Sequence, residues 1–391
     1  MESQSDTANS MPTLGCRADH VGSLLRPAGL LEAMSRAREG LIDPETLRRV
    51  QDEAILGALD LQRQVGLGIF TDGEFRRSWF AGAWSESIGG LAPAERPAPA
   101  GPAGWRGPHR ELARVALGEV GTSHAVVDRV RPLRRLAQEE CAFLREHAPG
   151  PFKITLAGVV SQALRWYRPG LSDRAYPTLG DLISDLAGIL RAEVEALAQE
   201  GVSYLQLDSL VYTIQLADAA HRARLVEAGV DPDWLLEQAI AADNAVLAPA
   251  RSRPGLCLGL HMCRGNNRSA WTADGSYEAV AERAFSELRV DRLLLEYDSE
   301  RAGGFEPLRF VSKDKVVVLG LVSTKVPTLE SQDWLLRRIE EAARYVPVER
   351  LALSPQCGFA STARGNLLGE DDQRRKLELV VETARRVWGD A

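Results

Sequence analysis

The chain has 391 residues, 45% hydrophobic and 26% charged, which describes an ordinary globular protein with ample core. Its formal charge of -7, without a basic face or stripe, argues against a nucleic-acid footprint. No uncharged apolar stretch reaches the roughly 18 residues needed to span a bilayer.

Five cysteines scattered over this length do not form a secreted disulfide framework, and reduced thiols fit a cytosolic setting. Cys16, Cys141 and Cys257 read as structural thiols. The opening residues Met1 to Ser10 are polar, with neither the basic start nor the apolar core of a secretion signal. Residues 1–14 are therefore expected to be a disordered leader, and the protein is expected in the cytoplasm.

In chain order, eight short apolar runs are bounded by turn signals: Arg17 to Ser23, Gly68 to Asp72, Phe152 to Gly158, Tyr204 to Asp208, Cys257 to Cys263, Arg292 to Asp298, Val316 to Ser323 and Leu351 to Cys357. Amphipathic helices are predicted over Leu182 to Ala198, Asp233 to Ala248, Tyr277 to Leu288, Glu330 to Arg344 and Gln373 to Val387. Alternating runs and helices predict an α/β protein, a single (β/α)8 barrel over residues 15–391. The stretch from about Ala81 to Gly121 is dense in Pro, Gly and Ala and breaks the alternation after the second run. It reads as an insertion over the barrel mouth, either a lid, a homo-oligomer contact or a passive loop.

Active sites of such barrels lie at the carboxyl ends of the strands. The reactive side chains gather there: Ser23 after the first run, Asp72 and Glu74 after the second, Asp208 after the fourth, and His261 and Cys263 after the fifth. Glu296 and Asp298 end the sixth, Lys325 follows the seventh and Cys357 the eighth. Imidazole, two thiolates and a carboxylate are a set that zinc accepts in tetrahedral geometry, and delivery from three strand ends points to a catalytic rather than a structural site. No phosphate-cradling loop and no serine-hydrolase elbow is present, so nucleotide binding is not supported.

Six segments carry a family resemblance: Asp19-His20-Val21-Gly22-Ser23, Thr71-Asp72-Gly73-Glu74-Phe75-Arg76-Arg77, Leu205-Gln206-Leu207-Asp208, His261-Met262-Cys263-Arg264-Gly265-Asn266, Leu295-Glu296-Tyr297-Asp298 and Ser354-Pro355-Gln356-Cys357-Gly358-Phe359. With them the chain resembles the zinc-dependent barrels of cobalamin-independent methionine synthase, specifically the catalytic half and the short stand-alone relatives. That superfamily also includes epoxyalkane:coenzyme M transferase. The resemblance implies that His261, Cys263, Glu296 and Cys357 hold zinc, and that Val21-Gly22-Ser23, Glu74 and Asp208 receive an amino-acid thiol such as homocysteine. Methyl transfer to that thiol is the leading expectation, and Glu74, Asp208 and Lys325 are the candidate catalytic residues.

Epoxide opening by coenzyme M is the alternative. Its sulfonate needs cations, which Arg76, Arg77, Arg264 and Lys325 would supply. A barrel that uses zinc only to tie strand ends together is the third reading. The competing role for Glu74 and Asp208 is an internal ion pair with one of these cations, and for Lys325 a pairing with an acidic neighbour. The chain departs from long methionine synthases in three ways: Asp208-Ser209-Leu210 replaces Asp-Glu-Pro, Lys325 stands where a proton-relaying His is found, and there is room for only one barrel. The donor accordingly stays open among folate, a corrinoid protein and an epoxide. Trp166 and Tyr167 are offered to a pterin ring or to packing, and Glu300 to Leu308 resembles a segment of the short relatives with no role assigned from physics.

Overall fold

The computed structural model describes residues 15–94, 104–119 and 123–391; the expected leader lies outside them. Strands β1 (Ile88–Pro93) and β2 (His124–Pro132) pair antiparallel. The remaining strands, β3 (Lys153–Ala157), β4 (Tyr204–Asp208), β5 (Cys257–Met262), β6 (Arg292–Glu296), β7 (Val316–Val322) and β8 (Leu351–Pro355), form one parallel sheet in consecutive order. Every residue of these six is buried, as expected of strands covered on both faces, so their sequences are mainly apolar rather than alternating, with buried polar exceptions such as Lys153, Thr155, Gln206 and Arg292.

The first two expected strands are corrected to single parallel bridges, Ala18 to Leu353 of β8 and Phe70 to Phe152 beside β3. Side chains take the backbone partners that a ladder would use. Asp19 Oδ1 accepts from His20 N, Gln62 Oε1 from Thr71 N, and Asp72 Oδ1 from Glu74 N. Gly22, at φ +143, adds a conformation that L residues rarely adopt. The two segments meet through Leu24 N to Gly73 O at 3.1 Å and Thr71 Oγ1 to Gly22 O at 2.8 Å. The eight runs thus take successive places, six in the ladder and two bridged to its edges.

Helices Leu179–Gln199, Pro232–Leu247, Glu278–Glu287, Gln332–Ala342 and Glu370–Trp388 match the five predicted. The structure adds Ala28–Arg38 and Pro44–Val65 between the first two runs, and Gln138–His147, Val159–Trp166 and Ala219–Glu227 further on. Pro44–Val65 starts on an Asp43 side chain that accepts from Thr46 N, has proline at its first position and stops at Gly66 in the left-handed conformation.

Beyond the Pro, Gly and Ala-dense stretch, β2 runs from His124 to Pro132 and pairs with β1. The described middle part of that stretch bears on the carboxyl side of the sheet: Arg106 bridges Trp271 in the segment after β5, and its guanidinium pairs with Asp218 at 2.6 Å and Asp274 at 2.8 Å. Among the described residues no helix is long and apolar enough to cross a membrane.

Candidate metal centre

His261 lies near the end of β5, Cys263 immediately after it, Glu296 at the end of β6 and Cys357 two residues beyond β8. The sheet carries all four to one point, where a ligand atom of each lies within 4.8 Å of the others. The two sulfurs are 3.5 Å apart, and all four residues are at most 7% exposed. His261 Nδ1 faces the carbonyl of Leu294 at 3.2 Å, whereas buried Nε2 has no hydrogen-bond partner. In the neutral ring, donation from Nδ1 would leave the Nε2 lone pair aimed at the cluster, the usual way a ligand imidazole is held. The donor set suits a tetrahedral, thiolate-accepting metal.

The electrostatics set which of these donors hold their protons more tightly. Burial would lower the His261 imidazole, but Cys357, Asp208 and Glu296 outweigh it and raise it to about 9. The sulfur-to-sulfur contact pushes the Cys263 thiol well above its ordinary range and holds Cys357 well below it. Burial alone would raise the Glu296 carboxyl; Arg301, Lys325 and His261 reverse this and hold it low. Its Oε1 accepts from Arg264 N at 2.7 Å and its Oε2 from Arg301 at 3.0 Å, and Arg301 also binds Asp298 at 2.6 Å. Through Arg301 the Glu300 to Leu308 segment thus reaches back to the Glu296 carboxylate.

The cluster opens onto a cavity of about 400 Å³ whose walls also include Val21, Ser23, Glu74 and Asp208. Glu74, at φ 60, has Oε1 bound by the Thr155 hydroxyl at 2.8 Å and Oε2 buried without a partner. Strained backbone of this kind gathers at functional sites. Arg77 stands 3.6 Å from Glu74, so the competing ion pair is present, but its closer partner is Glu140 at 2.5 Å. Among the described residues Asp208 forms no ion pair with an Arg or Lys; its Oδ1 accepts from Gln206 Nε2 at 2.8 Å. Burial raises the Glu74 carboxyl, and burial raises Asp208 to about 7. Two buried carboxyls thus line one cavity.

Other expected site residues lie elsewhere. Gly22 turns away, its α-carbon packed so closely on Thr155 that a β-carbon would stand 2.7 Å from Cγ2. Arg76 reaches Asp52 and stacks 5.0 Å over Phe143. Arg264 donates to Gly275 O and stacks 4.4 Å over Tyr277. Lys325 meets no acidic side chain at bonding distance: it donates to Asn266 Oδ1 at 2.9 Å, Gly265 O at 3.2 Å and Ala270 O at 3.4 Å, clamping the segment behind Cys263. Trp166 is packed edge to face on Trp84 in the core, and Tyr167 donates to Asp173. The aromatic cavity wall is instead Trp79, Phe80 and Trp105, which sequence reasoning did not single out.

A parallel α/β barrel-type fold with imidazole, thiols and carboxylate converging at its strand ends defines the class: a barrel with a cluster at its mouth that could hold a metal ion. A family model described as the catalytic domain of cobalamin-independent synthase matches residues 19–386, and the chain belongs to that family of methionine synthase-like catalytic domains. It is 36% identical to the uncharacterized protein YxjH of Bacillus subtilis over 95% of this chain and 94% of that one. A methionine synthase of Pyrococcus abyssi is 25% identical over 94% of this chain and 91% of its own length. Among solved structures, a Listeria monocytogenes protein provisionally assigned as a vitamin-B12 independent methionine synthase superposes with a TM-score of 0.72 at 28% identity, covering 96% of this chain and 98% of that one.

Proposed function

We propose that the protein is a zinc-dependent methyltransferase whose acceptor is the thiol of homocysteine or a closely similar amino-acid thiol. The observation that carries this is the convergence, on one cavity, of the four-residue ligand cluster with the carboxyls of Glu74 and Asp208. The soft donor set favours zinc. Bound there, zinc would let a thiol lose its proton near neutral pH while leaving the sulfur nucleophilic.

The chain's own residues supply the rest. His261, Cys263 and Cys357 hold the site from two directions, and Nδ1 of His261 is fixed by Leu294 O. Glu296 is the exchangeable member, because Arg264 N and Arg301 already bind its two oxygens and would keep the carboxylate paired once it moved aside. Glu74 and Asp208 receive the ammonium and so turn the thiol toward the cluster. Lys325 serves as a clamp on the 265–270 segment. A methyl donor enters against Trp79, Phe80 and Trp105; the sulfur-carbon bond forms as the carbon-donor bond breaks, and the electron pair and thiol proton leave with the donor.

Coenzyme M is disfavoured because it carries no amine for Glu74 and Asp208, and none of Arg76, Arg77, Arg264 and Lys325, the cations offered to its sulfonate, lines the cavity. The deciding experiment measures zinc in the purified protein and follows sulfur coordination by X-ray absorption as homocysteine or coenzyme M is added. One zinc per chain, gaining one sulfur ligand with homocysteine, is the expected result. Absence of zinc, or indifference to both thiols, overturns the proposal.

A further inference from the structure

Beneath the cavity, each of its two carboxylates is tied to a buried cation through one neutral side chain. Arg77 NH1 donates to Thr155 Oγ1 at 3.0 Å, and Thr155 Oγ1 donates to Glu74 Oε1 at 2.8 Å. Lys153 Nζ donates to Gln206 Oε1 at 2.9 Å, and Gln206 Nε2 donates to Asp208 Oδ1 at 2.8 Å. Thr155 and Gln206 are register partners on β3 and β4, so the two relays form one layer of the barrel.

The chemistry of each relay allows a single direction. Guanidinium and ammonium groups have protons to give and no lone pair to offer. Thr155 must therefore accept from Arg77, and its only proton is left for Glu74. Gln206 must present its oxygen to Lys153, and its NH2 group then faces Val21 O at 2.7 Å as well as Asp208. A flipped amide would set oxygen against the Val21 carbonyl and NH2 against the ammonium. Thr155 and Gln206 are 3% and 0% exposed, so water does not substitute for either bond.

We propose that Thr155 and Gln206 are positioning residues that set the site's preference for a thiol bearing a positively charged amine, by fixing Glu74 and Asp208 as acceptors facing the cavity. Neither touches the ligand; both act through the carboxylates. The proposal rests on reading Glu74 and Asp208 as the amine receptor.

The test uses the zinc-loaded full chain and compares, by titration calorimetry, homocysteine with 4-mercaptobutanoate, which keeps thiol and carboxylate but lacks the amine. The wild type should prefer homocysteine. Thr155→Val and Gln206→Met should each weaken homocysteine roughly tenfold, the scale of a hydrogen bond to a charged group, while changing 4-mercaptobutanoate by less than about twofold. Thr155→Ser, which restores the hydroxyl, should keep the wild-type preference. Gln206→Glu keeps an acceptor for Lys153 and removes the donor, so it reads the same loss should Gln206→Met fail to fold. Variants that retain the preference, or that weaken both thiols equally, overturn the proposal. A wild type that binds the two thiols alike overturns instead the amine-receptor reading and takes the proposal with it.

Discussion

At the residue scale, the cluster separates ligands from the groups that aim them. Removing a soft donor should abolish retention of metal: Cys357→Ser, dialysed against a mild chelator, is expected to emerge without the zinc that the parent protein keeps. Removing an aiming group should only weaken it. Arg301 touches Glu296 and Asp298 with one guanidinium nitrogen, and Arg301→Ala is expected to reduce metal affinity by roughly 10 to 100-fold in a competition assay, the range typical of lost outer contacts. An unchanged affinity would mean that Glu296 holds its position without Arg301. The difference explains what was legible in the sequence. His261, Cys263, Glu296 and Cys357 stand out because soft ligands are rare and strand ends mark where they meet. Arg301 does not, because a cation five residues past a carboxylate has many conceivable partners until the chain's turn selects one. Thr155 and Gln206 are hidden for the same reason: in a buried strand they look like exceptions to an apolar run.

At the element scale, the site depends on how closely β6, β7 and β8 approach. Gly320 of β7 is the register partner of Glu296, and a β-carbon there would stand 2.8 Å from both Leu295 O and Gln356 Cα. Those atoms are backbone, so the neighbouring strands themselves must move. Gly320→Ala is expected to cost about 1–3 kcal/mol in urea unfolding, the range for overpacked cores, and to lower zinc occupancy by parting Glu296 from Cys357. Gly188, inside Leu179–Gln199 with open space at its β-carbon, is the control: Gly188→Ala should stabilise by roughly 0.5–1 kcal/mol and leave zinc untouched. The six ladder strands are legible because burial on both faces favours runs rich in Val, Leu and Ile, as in Val316–Val322 and Arg292–Glu296. The first two runs are more polar, with Arg17, Asp19 and His20 in one and Thr71 and Asp72 in the other, and Asp19, Thr71 and Asp72 divert backbone bonds to side chains, a competition that an apolar pattern does not reveal. The Pro44–Val65 helix is legible in its Asp43-Pro44 start, yet a search for strand-then-helix alternation passes over it, because another helix, not a strand, precedes it.

At the scale of the whole molecule, the receptor conflicts with stability. Asp208 is raised to about 7 mainly by burial, with His261 opposing and Glu74 adding to the rise. A carboxyl whose folded value exceeds its unfolded one favours the folded state fully only below the unfolded value near 4, and that contribution is lost as pH rises through about 7. The loss runs at about 1.4 kcal/mol per pH unit within that window. Asp72 and Asp243, also raised to about 7 by burial, slope the same way, whereas His20, lowered to about 4 by burial, slopes oppositely between about 4 and 6.5. The pH profile of the parent chain therefore mixes signs, and only a difference isolates the receptor. Asp208→Asn keeps an oxygen for Gln206 Nε2 and removes the ionisation. Calorimetric melting of the thiol-free protein should show the variant more stable than the parent at pH 8, with the gain shrinking toward pH 5, while homocysteine affinity falls. A gain independent of pH would mean that Asp208 is not held against its charge, and that the cavity is not a site kept ready for an ammonium group.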